Sequence, residues 1–419
     1  MTSAQNAIVG ILISPDSLGF DTNGLHQNSF FLYRLLKQIK GVTPILVYAP
    51  EFLPERIKAD DQIDLFGEPV YRIDLFYEKY HLTVLMEICI AIDSGTAKKL
   101  RRAGTKIVMV AYGNRYVLDQ EAICFGHLPR SNMSANYADR NLLRETTRRD
   151  AIWMSPHFAW QKDYYKHRFN ANVAHVCPYV WDPEMVDKRY KDSGLYEDKS
   201  PLFHPNNPAN KNVFSTEPNI NVLKTSLFPF QAFNLAYETL GDELGDLYLY
   251  NTAHVVKENK KITSYFSHFP STQAGKIKCL SRHGYPHITN SAQIMFHHHF
   301  QNGLNYTLLE AARLRLPIVH NSEFMPELGY YYNGANLTAA SAQIVSALSH
   351  QDRDDLEEYD HQCNKVIEKF WIHNRENIRG YQTLIANLLD SSIEPELPQY
   401  IVDLENKLDH GDGYISPLG

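Results

Sequence analysis

Cysteine is scarce in this chain and is not arranged for cross-linking. The five cysteines are odd in number and widely separated, and no two of them form a CxxC pair. Disulfide scaffolds and zinc knuckles need closely and regularly spaced cysteines, so the sequence argues against both. A reducing cytoplasm is therefore the expected location.

Long apolar runs are missing as well. The longest runs, such as residues 106–111, are only long enough for a strand, whereas a membrane-spanning helix needs about 20 apolar residues. The first residues lack the basic region and the cleavage site of a signal peptide. We therefore expect neither a membrane span nor a leader.

An overall excess of positive charge is also absent. The net charge is −7, which argues against general nucleic-acid binding. Between Lys98 and Arg168, however, fourteen Lys and Arg stand against six Asp and Glu. Two interpretations stay open: a solvated helix face with local ion pairs, or a basic strip for a polyanionic acceptor. The arginines that cluster there are Arg130, Arg140, Arg144, Arg148 and Arg149.

The chain is long enough for two domains. Its 419 residues exceed the size of one ordinary hydrophobic core. In the first half, segments typical of strands alternate with helical segments, at residues 7–14, 28–39, 43–48, 84–90, 106–111, 151–154 and 173–176. This βαβ alternation predicts an α/β protein with doubly wound parallel sheets.

The second half resumes this alternation after a loop-rich passage at residues 190–214. Residues 219–240 are expected to be helical but broken by Pro229, and residues 247–251 are expected to form a strand. The last predicted helix runs from about Asp354 to Leu389 and is interrupted near Trp371.

The most informative segment runs from His297 to Ser322. A polar loop containing Gly303 leads to Asn305, a natural N-cap, and from Tyr306 apolar residues recur at helical spacing up to Pro317. The N-terminus of a helix behind a glycine-bearing loop is suited to binding phosphate. Glu310 lies one turn further on, where it is expected to accept hydrogen bonds from sugar hydroxyls. The alternative is an ordinary helix after a turn.

Ligands in open α/β sheets bind beyond the carboxyl ends of the strands. In the first half, the loops at these ends carry polar residues that are candidates for binding or catalysis: Asp21, Asn23, His26, Gln27, Glu87, Asn114 and Arg115. Glu87 lies within an apolar strand, where a charge is costly unless it is paired or functional. A structural pair with Arg115 is the alternative to an active-site role.

Taken in order, these loops resemble a bacterial and phage family of GT-B-like proteins long catalogued as a domain of unknown function. The matching residues cover most of the chain: Asn23-Gly24, Gln27-Asn28, Glu87, Gly113-Asn114, Ser155-Pro156, Phe158, Pro178, Trp181, Glu217-Pro218-Asn219, Lys224, Asn251, His254, His298, Leu304-Asn305-Tyr306, His320-Asn321-Ser322 and Gly329-Tyr330-Tyr331-Tyr332.

The resemblance implies two Rossmann-like domains facing a cleft. Residues 1–195 would bind the acceptor, residues 196–370 would bind a nucleotide sugar, and residues 371–419 would form a helix that crosses back, with a tail. Some phage members resemble DNA glycosyltransferases that place a sugar, arabinose among them, on 5-hydroxymethylcytosine. The expected partners are therefore a nucleotide sugar, most simply a UDP-sugar that donates a pentose such as arabinose or a glucose, and double-stranded DNA. The location would then be the host cytoplasm.

The resemblance also distributes roles among the candidate residues. Donor contacts are expected from Lys224, Asn219, His254, Asn302, Gly303, Asn305, Tyr306, Thr307, Glu310, His320 and Asn321. Acceptor contacts are expected from Asn23, Gln27, Asn114, Arg115, Arg144, Arg148 and Arg149. Glu87, His26 and Asp21 are the candidates for a catalytic base; if the sugar's configuration is retained, the leaving phosphate takes the proton instead.

No metal or other cofactor is expected. Neighbouring residues on a strand point to opposite faces, so His297, His298 and His299 do not share one ion. Retaining GT-B enzymes usually carry a Glu eight residues before the position of Glu310, and here that position is Asn302. This departure leaves open a catalytically silent nucleotide- or glycan-binding protein. The acidic balance of the rest of the chain leaves open a second alternative to DNA glycosylation, transfer to a surface polysaccharide or lipid-linked glycan.

Overall fold

The computed structural model describes residues 6–13, 24–50, 63–74, 81–88, 90–125, 148–194, 211–289, 294–349 and 356–410. The chain divides into two compact units. The first comprises Met1–Asp182 and Phe370–Tyr414, and the second comprises Pro183–Lys369 and Ile415–Gly419. The helix Glu184–Ser193 belongs to the second unit in this division, whereas the sequence placed it in the first domain.

The first unit contains a sheet of eight strands within the described ranges. They are β1 (Ala7–Leu12), β2 (Val42–Tyr48), β3 (Ile63–Leu65), β4 (Glu68–Arg72), β5 (Val84–Ile88), β6 (Lys106–Ala111), β7 (Arg149–Met154) and β8 (Ala171–Val176). Their order is β3-β4-β2-β1-β5-β6-β7-β8. All neighbours are parallel except β3 and β4. The central strands β1, β5 and β6 are mostly apolar because a parallel sheet is covered on both faces; Glu87 in β5 is the buried exception.

The helices of the first unit include two from the end of the chain. The described helices are Gly24–Leu36, Ser94–Arg102, Arg115–Phe125, Lys162–Arg168, Arg375–Leu389 and Gln399–Asp409, with a 3₁₀ helix at Pro156–Gln161. Ile401 of the last helix is buried in the same cluster as Ile152 and Phe169. The chain thus returns to the first unit at its end, as expected.

The interruption predicted near Trp371 is confirmed. The helix Leu356–Phe370 ends there and the next helix begins at Arg375. Trp371 pairs with Trp181 in an isolated parallel bridge, and the Trp181 amide donates to the Phe370 carbonyl over 2.7 Å. The break therefore coincides with the residue at which the chain re-enters the first unit.

The second unit contains a sheet of six strands in the part of the chain that the structure describes. They are β9 (Val213–Ser215), β10 (Leu247–Leu249), β11 (Ile277–Cys279), β12 (Ile294–His297), β13 (Ile318–His320) and β14 (Tyr330–Tyr331). Their order is β11-β10-β9-β12-β13-β14, and all of them are parallel. The expected α/β class with two doubly wound parallel sheets is confirmed.

The described helices of the second unit cover this sheet. They are Glu184–Ser193, Leu227–Leu240, Ala253–Glu258, Lys260–Ser267, Pro270–Gln273, Tyr285–Thr289, Tyr306–Arg313, Leu337–Ser349 and Leu356–Phe370. Phe230, Phe233 and Ile344 are fully buried against the strands. No helix among the described residues is long and apolar enough to cross a membrane.

One predicted helix begins later than expected. Residues 219–226 are not helical, and the helix runs from Leu227 to Leu240. Pro229 lies in its first turn rather than at a break. A helix has no internal partner for its first N–H groups, so the N–H that proline lacks is not missed there.

Each sheet has one place where the strand order reverses. In the first sheet β1 lies between β2 and β5, and in the second sheet β9 lies between β10 and β12. Loops that leave adjacent strands in opposite directions open a crevice, which is where open α/β sheets bind ligands. The two reversal points therefore locate the candidate sites.

Candidate functional site

The reversal point of the second sheet gathers polar residues from four strand-end loops. Residues 216–226 follow β9, residues 250–252 follow β10, residues 298–305 follow β12, and residues 321–323 follow β13. Because all of these strands are parallel, the four loops lie along one edge of the sheet.

Asn219 holds two of these loops together. Its backbone has a φ of 55°, a left-handed conformation that asparagine tolerates better than most residues. Its side-chain amide donates to the Glu217 carbonyl (3.0 Å), the Ser226 Oγ (2.9 Å) and the Asn251 carbonyl (3.2 Å). Its Oδ1 accepts from the Ser226 amide over 2.8 Å. The side chain of Asn219, predicted to contact the donor, thus uses its amide group in hydrogen bonds that shape the loop.

Glu217 is a buried carboxylate at the start of the loop after β9. Its side chain is 2 % exposed, and its Oε1 accepts from the His298 backbone amide over 3.3 Å. The same oxygen lies 2.8 Å from the His297 Nδ1, but off the line that a hydrogen bond needs. This carboxylate joins the ends of β9 and β12 without an arginine or lysine in ion-pair contact among the described residues.

Lys224 is the cation of this site. It is half-buried, and burial lowers its pKa to about 8, while the charge of Glu217 acts in the opposite direction. Within the described ranges no carboxylate lies at ion-pair distance from its ammonium group. A desolvated ammonium group without a contacting counter-charge is suited to binding an anion.

The helix Tyr306–Arg313 begins as predicted. Asn305 is its N-cap, with φ −147° and ψ 133°, and its Oδ1 accepts from the Thr307 amide over 3.2 Å. The Thr307 amide, expected to contact phosphate, is therefore taken up by the cap. Tyr306 is buried. The positive end of the helix dipole still points towards the loop.

Glu310 is buried and is paired within the second unit. Its carboxylate accepts from the Arg189 guanidinium of the helix Glu184–Ser193. Arg313, one turn after Glu310, donates to both carboxylate oxygens of Asp187, two residues before Arg189, over 2.9 and 3.0 Å. The expected ribose acceptor is thus also one half of a double salt bridge that fixes two helices together.

His320 and Asn321 hold the loops in place through internal contacts. His320 is fully buried; its Nε2 donates to the Leu328 carbonyl over 2.6 Å and its Nδ1 accepts from the Ser322 amide. Burial lowers the pKa of His320 to about 4, so the ring is neutral. Asn321 pairs with both backbone groups of His299 over 3.1 and 2.9 Å. His320 thus holds the segment after β13, and Asn321 joins that segment to the loop after β12.

His298 lies between aromatic neighbours. Its ring is stacked on Phe228, with centroids 3.7 Å apart and an angle of 10° between the planes, and its Nδ1 is 2.8 Å from the Tyr332 hydroxyl. Burial, followed by the nearby His297, lowers the pKa of His298 to about 3. The ring is therefore neutral at physiological pH and is suited to hydrogen bonding rather than to charge pairing.

The three consecutive histidines have separate surroundings. His297 faces Glu217, His298 faces Tyr332, and His299 accepts from the Asn302 amide over 3.1 Å. No group of three potential ligands resembling a metal site occurs in the described part of the chain.

Glu323 brings a carboxylate to the loop that contains Asn302 and Gly303. Its oxygens lie 2.6 and 2.8 Å from the position that a Cβ on Gly303 would occupy. The side chain is 55 % exposed, yet enough protein surrounds it that desolvation raises its pKa to about 7. A larger residue at position 303 would therefore displace this carboxylate from the loop.

The first sheet places its predicted residues differently. Glu87 is 1 % exposed and pairs with Arg149, which is also 1 % exposed, over 2.9 Å. The other carboxylate oxygen of Glu87 accepts from the Ile92 amide over 3.0 Å. The partner of Glu87 is thus Arg149 and not Arg115. Arg149 was expected in a basic surface strip, and its burial contradicts that role.

Four further first-unit candidates lie among the described residues. Asn114 is buried, and its Oδ1 accepts from the Val117 amide and the Gln161 side chain. Arg115 pairs with Asp119 over 2.7 Å. Gln27 is buried in the helix Gly24–Leu36, where His26 is half-buried.

Two further arginines and two loop residues complete the first-unit predictions. Arg148 donates to the Asn172 side chain and is exposed. Asp21, Asn23 and Arg144 lie outside the described residues. In the second unit, His254 is exposed near the start of the helix Ala253–Glu258.

The family model described as "Protein of unknown function (DUF2827)" matches residues 9–385. The chain belongs to the DUF2827 family. This confirms the family-level resemblance, while membership of a phage subgroup that acts on hydroxymethylcytosine stays a prediction. A comparison with curated protein sequences found no significant match.

Solved structures similar to this DUF2827 protein are glycosyltransferases and a related domain. A sucrose-phosphate synthase from Thermosynechococcus elongatus is 10 % identical over 92 % of this chain and 100 % of its own, with a TM-score of 0.52. A UDP-forming trehalose-phosphate synthase from Burkholderia xenovorans is 11 % identical over 93 % and 100 %, also with a TM-score of 0.52. The N-terminal domain of the Candida albicans trehalose-6-phosphate phosphatase is 12 % identical over 94 % and 98 %, with a TM-score of 0.51. These likenesses establish a shared fold of the GT-B type.

Sequence reasoning missed two groups in the DUF2827 site. Glu217 stood among the residues that match the family but was given no role, and Glu323 was not singled out, although each follows a strand of the second sheet. A carboxylate two or three residues after the end of a short β strand was a usable signal for both. The strand β9, with three residues, was too short to stand out in the sequence.

Proposed function

We propose that this protein is a glycosyltransferase that takes a sugar from a nucleoside-diphosphate sugar. The observation that carries the proposal is Lys224, a half-buried ammonium group beside the reversal point of the second sheet. Its pKa is lowered by burial to about 8, and a diphosphate would supply the missing contact charge.

The other donor contacts follow from the same loops. The helix dipole at Asn305 favours binding of the diphosphate. Glu310 accepts hydrogen bonds from the ribose with the carboxylate capacity that its hydrogen bond from Arg189 leaves unused. Asn302 and Gly303 border the sugar. His254, exposed on its helix, is proposed as a second phosphate or sugar contact.

UDP is the proposed nucleoside diphosphate. The trehalose-phosphate synthase from Burkholderia xenovorans, which shares the fold, is named as UDP-forming. The resemblance noted in the sequence suggests the same nucleotide. The sugar is proposed to be a pentose such as arabinose, or glucose.

Transfer breaks the bond between the anomeric carbon and the diphosphate oxygen, and it forms a bond from that carbon to the acceptor oxygen. The electron pair leaves with the diphosphate, whose charge Lys224 and the helix dipole stabilise without a metal ion or cofactor. The acceptor proton goes to the leaving phosphate, or to His26 or Asp21 if the configuration inverts. Glu87 is no longer a candidate, because Arg149 already occupies its carboxylate.

For the acceptor, we propose 5-hydroxymethylcytosine in phage DNA, on the strength of the family resemblance. Such a base is reached by flipping it out of the stack. A second candidate acceptor, a surface polysaccharide or lipid-linked glycan, is favoured by the burial of Arg149, which removes one cation from the expected basic strip.

The test is nucleoside mass spectrometry on hydroxymethylcytosine DNA incubated with the protein and a panel of UDP-sugars. Unmodified DNA of the same sequence is the control. A pentose or hexose increment on the hydroxymethylated base alone supports both donor and acceptor. UDP release from a UDP-sugar without any DNA increment moves the acceptor to a glycan, and UDP binding without any turnover identifies a silent binding protein.

A further inference from the structure

Glu323 has an unusual position for a residue at a proposed phosphate-binding edge. It follows β13 by three residues, and its carboxylate rests against the backbone of Gly303 from the neighbouring loop. Its side chain is more than half exposed. A carboxylate repels phosphate, so it does not serve the diphosphate end of the donor.

Several contacts fix Glu323 next to this loop. The Ser322 hydroxyl donates to the Gly303 carbonyl over 2.6 Å, and Asn321 pairs with the backbone of His299 on both sides. Glu323 is therefore held by its two preceding residues on a frame that already contains Asn302 and Gly303.

No strong cation neutralises this carboxylate among the described residues. The nearest ion-pair contact is the His299 Nε2 at 3.6 Å. The His299 Nδ1 accepts from the Asn302 amide, so Nε2 carries the proton of a neutral ring. A distance of 3.6 Å is too long for a hydrogen bond. The carboxylate oxygens thus retain the capacity to accept hydrogen bonds from a ligand.

We propose that Glu323 accepts hydrogen bonds from the hydroxyl groups of the donor sugar and selects neutral sugars over acidic ones. This inference rests on the proposed function. A pair of carboxylate oxygens matches a pair of sugar hydroxyls, and hydrogen bonds to a charged group are stronger than those between neutral groups. The carboxylate of a uronic acid placed at the same point would meet a like charge.

The experiment compares the binding of UDP with that of UDP-glucose and UDP-glucuronic acid by calorimetry. In the unchanged protein, UDP-glucose is expected to bind about tenfold more tightly than UDP, as one charge-assisted hydrogen bond predicts. In Glu323→Gln and Glu323→Ala, this advantage is expected to disappear while the affinity for UDP stays the same. The discrimination against UDP-glucuronic acid is expected to shrink as well.

Glu327→Gln is the matched control, since Glu327 lies four residues further along the same segment and is expected to leave all three affinities unchanged. An advantage of UDP-glucose that survives in both Glu323 variants overturns the inference and leaves the proposed function standing. Absence of UDP binding in the unchanged protein overturns the proposed function itself.

The pH dependence provides a second readout. The described groups that face Glu323 are His299 and Tyr331. Burial and the charge of Glu323 raise the pKa of Tyr331. Since the pKa of Glu323 lies near 7, the advantage of UDP-glucose over UDP is expected to fall between pH 8 and pH 6. The terminal phosphate of UDP also titrates in this range, and UDP-glucose has no such group, so the ratio is read against Glu323→Gln, in which the titrations of Lys224 and of UDP are the same. A ratio that changes equally in Glu323→Gln contradicts the proposal.

Discussion

Two buried carboxylates, one beside the reversal point of each sheet, show how similar residues take different roles. Glu87 lies in β5, and Glu217 follows β9. Both side chains are at most 2 % exposed. Glu87 contacts a guanidinium group, whereas Glu217 contacts a backbone amide and approaches a histidine.

The difference lies in where the compensating cation is held. Arg149 is buried in direct contact with Glu87, so that pair is electrostatically closed. The charge of Glu217 raises the pKa of Lys224 although the two side chains are not in ion-pair contact. The ammonium group of Lys224 therefore keeps its capacity to donate hydrogen bonds. We call Glu87 and Arg149 the closed pair, because the two charges are in contact and stabilise the fold. We call Lys224 the open cation, because its ammonium group has no carboxylate in contact among the described residues and is available to a ligand.

Breaking the closed pair is expected to give the largest effect. Glu87→Gln leaves the Arg149 charge buried without its partner, which typically costs about 3–5 kcal/mol of folding free energy. Urea unfolding of the variant should show a matching loss. The double variant Glu87→Gln, Arg149→Met should recover part of it, and a single variant as stable as the parent would show that the pair is not structural.

Removing the open cation is expected to affect binding rather than folding. Lys224→Ala deletes a charged donor, worth about 1.5–3 kcal/mol, so UDP should bind roughly 10–100-fold more weakly by calorimetry. Lys260→Ala, at an exposed helix position, is the control. Equal UDP affinities in parent and Lys224→Ala would remove Lys224 from the donor site.

The lowered pKa of Lys224 sharpens the comparison. The side chain is charged below its pKa of about 8 and neutral above it, so UDP binding should weaken as the pH rises from 7 to 9. At one pH unit above the pKa, only about a tenth of the ammonium groups remain charged. In Lys224→Arg the guanidinium stays charged over this range, and the pH dependence should flatten. A slope that persists in this variant would assign it to another group.

The smallest effect is expected at the exposed remnant of the basic strip. Arg148→Glu should weaken the binding of hydroxymethylcytosine DNA only about threefold, since a surface charge contributes roughly 1 kcal/mol or less, and should leave UDP binding unchanged. A fluorescence binding assay at two salt concentrations measures both the loss and its screening. A loss of UDP binding in this variant would indicate misfolding instead of a DNA contact.

The sequence by itself determined the α/β class, the strand at Lys106–Ala111, the N-cap at Asn305 and the break at Trp371. These features depend on local properties: apolar periodicity, capping side chains and helix-breaking positions are written in neighbouring residues. The sequence also located the loops at the carboxyl ends of the strands. Once the sheet is known to be parallel, these ends must lie along one edge.

Only the tertiary structure decided which polar residues remain available. Arg149 and Glu87 are 62 positions apart, and no local pattern reveals that they neutralise each other. Asn219 and Asn321 likewise use their side-chain amides in hydrogen bonds to loops that are distant in the sequence. Glu323 reaches the loop of Gly303 because β12 and β13 are neighbours in the sheet. Hydrogen-bonding capacity is consumed by contacts in space, so the final site is a property of the folded chain.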